Sequence, residues 1–99
     1  MTASSDDAIR TGQVTLRYWA SARAAAGVDS DPLEVSGVTT LAELVTRVKG
    51  LHAASPRFAP VLATCSVMVG DRPVTTEDPS AVQVPPGATV EFLPPFAGG

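Results

Sequence analysis

The feature that most constrains the fold is one stretch of helical periodicity in a chain that otherwise alternates like β-strands. Apolar residues recur at helical spacing at Leu41, Leu44, Val45, Val48 and Leu51. Thr40 and Glu43 have the spacing of a capping box, in which each side chain satisfies a backbone N–H at the helix start. The sequence therefore predicts one helix that begins at Thr40, ends near Gly50 and covers a sheet with its apolar side.

Strand character precedes this helix. Val14, Leu16 and Tyr18 alternate with outward-facing residues, which predicts a strand with one buried face. Residues 20–27 are rich in alanine and predict one or two helical turns that end at a glycine. Residues 33–35 alternate again, so we expect a second strand and a hairpin with a wide connection.

Strand character returns after the helix. Residues 57–64 fit either a short helix or an irregular connection, whereas residues 65–69 predict a third strand. Gly70-Asp71 then predicts a tight turn into Arg72-Pro73-Val74. Residues 82–84 predict a weak strand. A last strand over residues 89–93 follows a Pro-Gly pair that suits the centre of a type II turn.

This order of elements predicts the architecture. A chain of 99 residues can bury one core, and a helix laid across a mixed sheet is the compact solution for the order. We predict an α+β, ubiquitin-like β-grasp, with four to five strands packed on one main helix and the first and last strands adjacent at the centre. A ferredoxin-like fold that has lost a helix is the alternative. Residues 1–12 are predicted as a flexible leader, 13–93 as the domain and 94–99 as an extended tail.

Charge and composition argue against several classes of function. The net charge is -3 and the basic residues are scattered, so we expect no nucleic-acid partner. No run approaches the roughly 20 apolar residues of a membrane span, and the first residues do not read as a secretory signal. We therefore expect a cytoplasmic protein with no membrane partner. Cys65 is the only cysteine, and no Cys or His pair has the spacing of metal ligands, so no metal site is predicted.

The residues for catalysis within the chain are few. His52 is the only histidine and is expected on the surface at the helix end. Cys65 is expected to be a small buried apolar residue. No phosphate-binding glycine motif occurs, so any ATP must be bound by a partner. The sequence leaves open whether the protein counts as an enzyme, and the candidate site is the end of the chain.

That end reads Pro94-Pro95-Phe96-Ala97-Gly98-Gly99. Six residues extend about 20 Å, and the two prolines stiffen the base of this arm toward polyproline geometry. Gly98 and Gly99 lack Cβ atoms, so the tip can pass a narrow channel. The carboxylate of Gly99 is ionised at neutral pH and becomes an acyl donor only when adenylated. The alternative is an end without function.

With these residues in view, the chain resembles the sulfur-carrier proteins, and among them the small subunit of molybdopterin synthase. Pro94-Pro95 followed by Ala97-Gly98-Gly99 is the specific part, and residues 14–27 and 40–48 look like that family's first strand, alanine-arginine segment and helix. Three positions depart from the pattern. They are Ala24 in place of an acidic residue, Gly70-Asp71 in place of Asn-Gly, and Pro86-Gly87-Ala88 in place of Asp-Gly-Asp.

The resemblance implies a cycle at Gly99. A ubiquitin-activating-like adenylyltransferase would bind ATP and adenylate Gly99, and a sulfur donor system would convert the acyl-adenylate to a thiocarboxylate. The large subunit of molybdopterin synthase would then receive the tail and use the sulfur to build the dithiolene of molybdopterin. This chain would be the non-catalytic sulfur-donating subunit, with no bound cofactor. The alternatives are a sulfur carrier for thiamine or cysteine synthesis, a ubiquitin-like modifier, and an interaction domain with an incidental tail.

Strand parity predicts a partner surface. Trp19 and Leu93 both fall on the strand faces that point away from the predicted core. If the first and last strands are neighbours, these side chains form an exposed apolar patch at the root of the tail. A bulge or sheet twist that turns them inward is the alternative. We assign Pro73 to the same predicted surface.

Overall fold

The computed structural model describes residues 11–95. Within them the chain forms seven strands and three helices, and the first and last of these elements are strands. The strands are β1 (Thr11–Tyr18), β2 (Ser30–Ser36), β3 (Thr39–Thr40), β4 (Ser66–Val69), β5 (Arg72–Pro73), β6 (Gln83–Val84) and β7 (Thr89–Leu93). The helices are α1 (Ala20–Ala26), α2 (Leu41–Leu51) and α3 (Phe58–Ala63).

The main sheet has five strands in the order β2-β1-β7-β4-β5. β1 and β7 pair in parallel, with Tyr18 opposite Phe92, while the other neighbours in this sheet pair antiparallel. The first and last strands are thus adjacent in the middle of the sheet, as predicted. The mixed sheet with its covering helices confirms the α+β, ubiquitin-like β-grasp architecture.

The core lies between the sheet and the helices. Val14, Leu16 and Tyr18 of β1 are buried, and Val90 and Phe92 of β7 continue the same face. This alternation follows from the two-residue period of a strand. On the other layer, the buried residues of α2 are Leu41, Leu44 and Val48, at helical spacing.

The capping and turn residues predicted from the sequence lie at the helix ends and in the turn before β7. The Thr40 hydroxyl accepts a hydrogen bond from the Glu43 backbone N–H at 3.2 Å, which caps α2. Gly27 ends α1 with a φ of 79°, in the left-handed region that glycine adopts without steric cost. In the turn before β7, Ala88 N–H donates to Pro85 C=O at 3.2 Å and Gly87 has a φ of 90°, as the predicted Pro86-Gly87 turn requires.

The structure differs from the sequence-based expectations in several places. β1 begins at Thr11, so two residues of the predicted leader belong to a strand. Residues 83–84 do not join the main sheet but pair with β3, a two-residue strand that the sequence did not predict. Leu51 is 60% exposed because it is the last residue of α2, so its assignment to the buried side was wrong.

Candidate functional site

The tail begins at the centre of the sheet. β7 is paired on both sides, with β1 and with β4, and the last paired residue is Leu93, opposite Ser66. Trp19, just past the end of β1, donates its backbone N–H to the Phe92 carbonyl oxygen at 3.2 Å. Pro94 and Pro95 follow directly. The direction of the outgoing chain is therefore fixed by two strand pairings and by this hydrogen bond.

An apolar cleft lies at the root of the tail. It has a volume of about 220 Å³, its lining is almost wholly apolar, and its walls are Trp19, Ala20, Leu93 and Pro94. Trp19 is 39% exposed, which is unusual for the only tryptophan of a small domain. The predicted neighbourhood of Trp19 and Leu93 at the base of the tail is present, and neither side chain turns into the core.

Ala20, one wall of this cleft, has an unusual backbone conformation. Ala20 has a φ of 50°, and it is the one non-glycine residue with a positive φ among residues 11–95. A non-glycine residue in the left-handed region costs on the order of 1 kcal/mol or more, and such strain often lies at functional positions. This conformation lies where the chain turns from β1 into α1. The pairing of β1 with β7 ends at Tyr18 and Phe92, so Leu93 lies beyond it. Sequence patterns gave no signal for Ala20.

A row of outward-facing residues crosses the same face of the sheet. Arg17, Glu91, Met68 and Pro73 lie opposite one another on β1, β7, β4 and β5. The Arg17 guanidinium lies 4.6 Å from the centre of the Trp19 ring, in a cation–π arrangement. Pro73 is thus on the face of the predicted partner surface but two strands away from β7. Met68 was missed, although the alternation of β4 places it outward.

On the opposite face of β1, the side chains of Tyr18, Asp31 and His52 form one polar group. This corrects the expectation that His52 lies on the surface. The Tyr18 hydroxyl donates to Asp31 Oδ2 at 2.8 Å, and His52 Nε2 contacts the same oxygen. The His52 side chain is only 13% exposed and packs against Phe58, so it is not a surface residue. The sequence near residue 52 does not signal this burial, because it comes from α3, a segment that by sequence fits either a short helix or an irregular connection. Burial, reinforced by the hydrogen bond to Asp31, raises the pKa of Tyr18.

The remaining candidates for chemistry are few. Cys65 is buried as expected, and burial raises the pKa of its thiol to about 11, so little of it is the nucleophilic thiolate at neutral pH. Across residues 11–95, no three His, Cys, Asp or Glu side chains converge as a metal site would require. Within the same residues, no helix has the length and apolar character needed to cross a membrane. Phe96, Ala97, Gly98 and Gly99 lie outside the described residues, so their predicted roles remain predictions.

These observations define a class of protein. A β-grasp domain has its last strand at the centre of the sheet, an apolar cleft where that strand ends, and a sequence that continues to Gly98-Gly99. The family model described as the ThiS family matches residues 16–99. The chain therefore belongs to the ThiS family, in agreement with the resemblance to sulfur carriers. No functionally curated protein matches the sequence.

Solved structures support the fold. A Haloferax volcanii protein known from its solution structure has 25% identity and a TM-score of 0.68, covering 91% of this chain and 89% of its own. The putative molybdopterin converting factor, subunit 1, of Pyrococcus furiosus has 22% identity and a TM-score of 0.68, covering 86% and 99%. The small archaeal modifier protein SAMP1 of H. volcanii has 18% identity and a TM-score of 0.70, covering 89% and 100%. Family and fold together give a sulfur carrier of the ThiS family with a ubiquitin-like β-grasp fold.

Proposed function

We propose that this protein is a sulfur carrier that serves as the small subunit of molybdopterin synthase. The observation that carries the proposal is the course of β7, which runs through the centre of the sheet into Pro94-Pro95 beside an open apolar cleft. A strand held on both sides gives the tail a rigid base, and the prolines favour an extended course away from it. The Gly98-Gly99 tip can then enter a partner's active site.

The proposed chemistry takes place at the Gly99 carboxylate. A carboxylate oxygen attacks the α-phosphorus of ATP bound by an activating partner, and pyrophosphate leaves. Hydrosulfide released by a sulfur donor then attacks the acyl carbon, the bond from this carbon to the AMP oxygen breaks, and AMP leaves, which gives a thiocarboxylate. The large synthase subunit accepts the tail and transfers this sulfur to a pterin precursor.

Intact-mass measurement tests the chemistry. The protein is incubated with ATP, an activating enzyme and a sulfur donor, and we expect a gain of about 16 Da, because sulfur replaces one oxygen. A variant that lacks Gly99 serves as the control, and it should remain folded but unmodified. An unchanged mass in the presence of a cognate activating enzyme, or molybdopterin synthesis that persists without Gly99, would contradict the proposal.

A second candidate function is that of a protein modifier. It is favoured by the likeness in fold to a small archaeal modifier protein, with a TM-score of 0.70. In this case Gly99 forms an isopeptide bond with a lysine of a target protein. Conjugates recovered from the native host would be larger by the whole protein rather than by one sulfur, so the same mass measurement distinguishes the two. A carrier for thiamine or cysteine synthesis would also form the thiocarboxylate, and co-purification of its partner would identify it.

The open face of the sheet is proposed as the partner surface, with Trp19 and Leu93 at its centre and Pro73 toward its edge. Trp19→Ala should weaken binding to the activating enzyme or the large subunit by about tenfold or more, because exposed aromatic residues often dominate binding energy. Gln13→Ala, an exposed position at the far end of β1, is the matched control and should bind normally. Equal affinities of Trp19→Ala and wild type in calorimetry would exclude this surface.

A further inference from the structure

β2 is an edge strand of the main sheet. Among residues 11–95, β1 is the one strand that pairs with it. Just before β2, the Tyr18 N–H donates to the Asp29 C=O at 2.9 Å, which fixes the hydrogen-bonding phase of the β1–β2 pair. Because every second residue of an antiparallel strand bonds the same neighbour, the backbone groups of Pro32, Glu34 and Ser36 point away from β1. This side of β2 can therefore take a further strand.

An open groove, the edge groove, runs along this side of β2 and beside α2. It consists of two adjoining hollows of about 520 and 590 Å³, and both are lined by Glu34, Val35, Ser36 and Arg47. Val38 lines the first hollow and is 60% exposed. An extended peptide laid along β2 finds backbone partners next to an exposed apolar side chain, which is how strand addition gains affinity.

The charges of the edge groove are unevenly engaged. The Glu34 and Glu43 carboxylates line it, and neither takes part in an ion pair within residues 11–95. Arg47 is the one cation among the lining residues, and its guanidinium donates to the Glu34 backbone C=O at 2.8 Å. Glu43 precedes Arg47 by four residues, a spacing at which side chains on a helix can pair. Arg47 can therefore release the carbonyl to an added strand and pair with Glu43, which leaves the Glu34 carboxylate free.

The geometry points to the edge groove as a docking site for an extended segment of another protein that carries a basic residue. The added strand bonds the backbone N–H and C=O of Glu34, and the residue opposite Glu34 is a lysine or arginine that lies beside the carboxylate. Its two neighbours point to the side of Val35 and are apolar. Because β1 separates β2 from β7, this segment leaves the root of the tail uncovered, and the site is independent of the proposed sulfur-carrier function.

A second copy of this chain fits the edge groove poorly. If two β2 strands pair antiparallel over their full length, Glu34 lies opposite Pro32, which has no N–H to donate. A shift of the register by two residues places either two Glu34 residues or two Pro32 residues opposite each other, and the two carboxylates repel. The net charge of -3 adds to the repulsion between copies. The charges thus favour a different chain with a basic strand.

Nuclear magnetic resonance titration of the isotope-labelled full chain tests the site. The probe is the peptide acetyl-Thr-Val-Lys-Val-Thr-amide, and we expect saturable shifts of the Glu34 and Ser36 amide signals. The same peptide with glutamate at its centre should bind about threefold more weakly, because like charges then lie opposite each other. Methylation of the central lysine's backbone nitrogen removes the donor to the Glu34 C=O and should weaken binding about fivefold or more.

Variants assign the contacts. Glu34→Gln should abolish the preference for the lysine peptide, whereas Asp71→Asn, which removes one negative charge in the turn between β4 and β5, should keep it. Arg47→Ala should bind the lysine peptide about threefold tighter, because the Glu34 carbonyl is then free and a nearby positive charge is gone. Circular dichroism confirms that each variant is folded before it is titrated.

Several results would overturn the inference. Equal binding of the lysine and glutamate peptides, or undiminished binding of the methylated peptide, would exclude a basic strand bonded to Glu34. Shifts confined to Trp19 and Leu93 would assign the peptide to the open face of the sheet. Shifts of Glu34 and Ser36 that appear with rising protein concentration alone would assign the edge to a second copy. Binding that requires removal of residues 1–10 would assign it to that segment.

Discussion

Tyr18 and Trp19 are neighbours in the chain, yet they lie on opposite faces of the sheet and have opposite surroundings. Tyr18 is 2% exposed, its ring contacts His52, Phe58 and Phe92, and its hydroxyl donates to a carboxylate. Trp19 is 39% exposed and does not belong to the buried core. On the covered face, the contacts of Tyr18 are made with other residues of the same chain. The open face presents a large apolar ring where the tail begins, so it is the face available for contacts other than folding.

The largest expected difference in stability between the two faces comes from substitutions at two consecutive residues of β7. Phe92→Ala should lower the free energy of unfolding by about 3–5 kcal/mol, since Phe92 is buried and stacks on Tyr18. Leu93→Ala should lower it by only about 1 kcal/mol, because Leu93 is partly exposed on the other face. Urea unfolding followed by circular dichroism measures both. Similar losses for the two variants would mean that the open face contributes to the core after all.

The polar group beneath Tyr18 gives the next largest effect. Tyr18→Phe keeps the ring contacts but removes one hydrogen bond to Asp31, and we expect a loss of about 1–2 kcal/mol. Trp19→Phe is the matched change on the open face and should alter stability by about 0.5 kcal/mol or less. If both variants have wild-type stability, the contact between His52 and Asp31 is sufficient to satisfy this carboxylate.

At alkaline pH, stability should depend on a buried residue, Cys65, but not on Trp19 of the open face. Burial raises the pKa of Cys65 from 9.0 to about 11, so the folded state keeps the proton over a range where the unfolded state loses it. Stability from this thiol is complete below about pH 9 and is lost as the pH rises toward 11. Urea midpoints measured across this range should fall less steeply for Cys65→Ala than for wild type. Comparison in a Tyr18→Phe background removes the contribution of Tyr18, which has the same sign at higher pH. Parallel slopes would contradict the assignment, and Trp19→Phe should leave the slope unchanged.

The strands and the main helix could be predicted from the sequence because the signals for them are local. The alternation at Val14, Leu16 and Tyr18 and the cap at Thr40 depend on periods and spacings that hold wherever the element packs. The placement of Trp19 beside Leu93 also followed, once the first and last strands were taken as neighbours. The alternation and the cap need no knowledge of distant contacts, whereas the placement of Trp19 required the assumed pairing of the first and last strands.

What the sequence missed depends on contacts between distant segments. His52 is buried because α3 brings Phe58 against it, and nothing near residue 52 signals this. β3 and β6 have only two residues each and exist through one pairing, so neither has a period to detect. The left-handed conformation of Ala20 is imposed by the turn from β1 into α1, and alanine gives no hint of it. The tip of the proposed site, Gly98-Gly99, remains a prediction from sequence and family.

The smallest expected effect concerns what holds Trp19 in place on the open face. Arg17 lies over the indole ring, and its Cα is opposite that of Glu91 on β7. A double-mutant cycle with Arg17→Gln and Trp19→Leu should give a coupling energy of about 0.5–1 kcal/mol, the range of exposed cation–π pairs. A coupling of zero would mean that Leu93 and Pro94 alone position the ring.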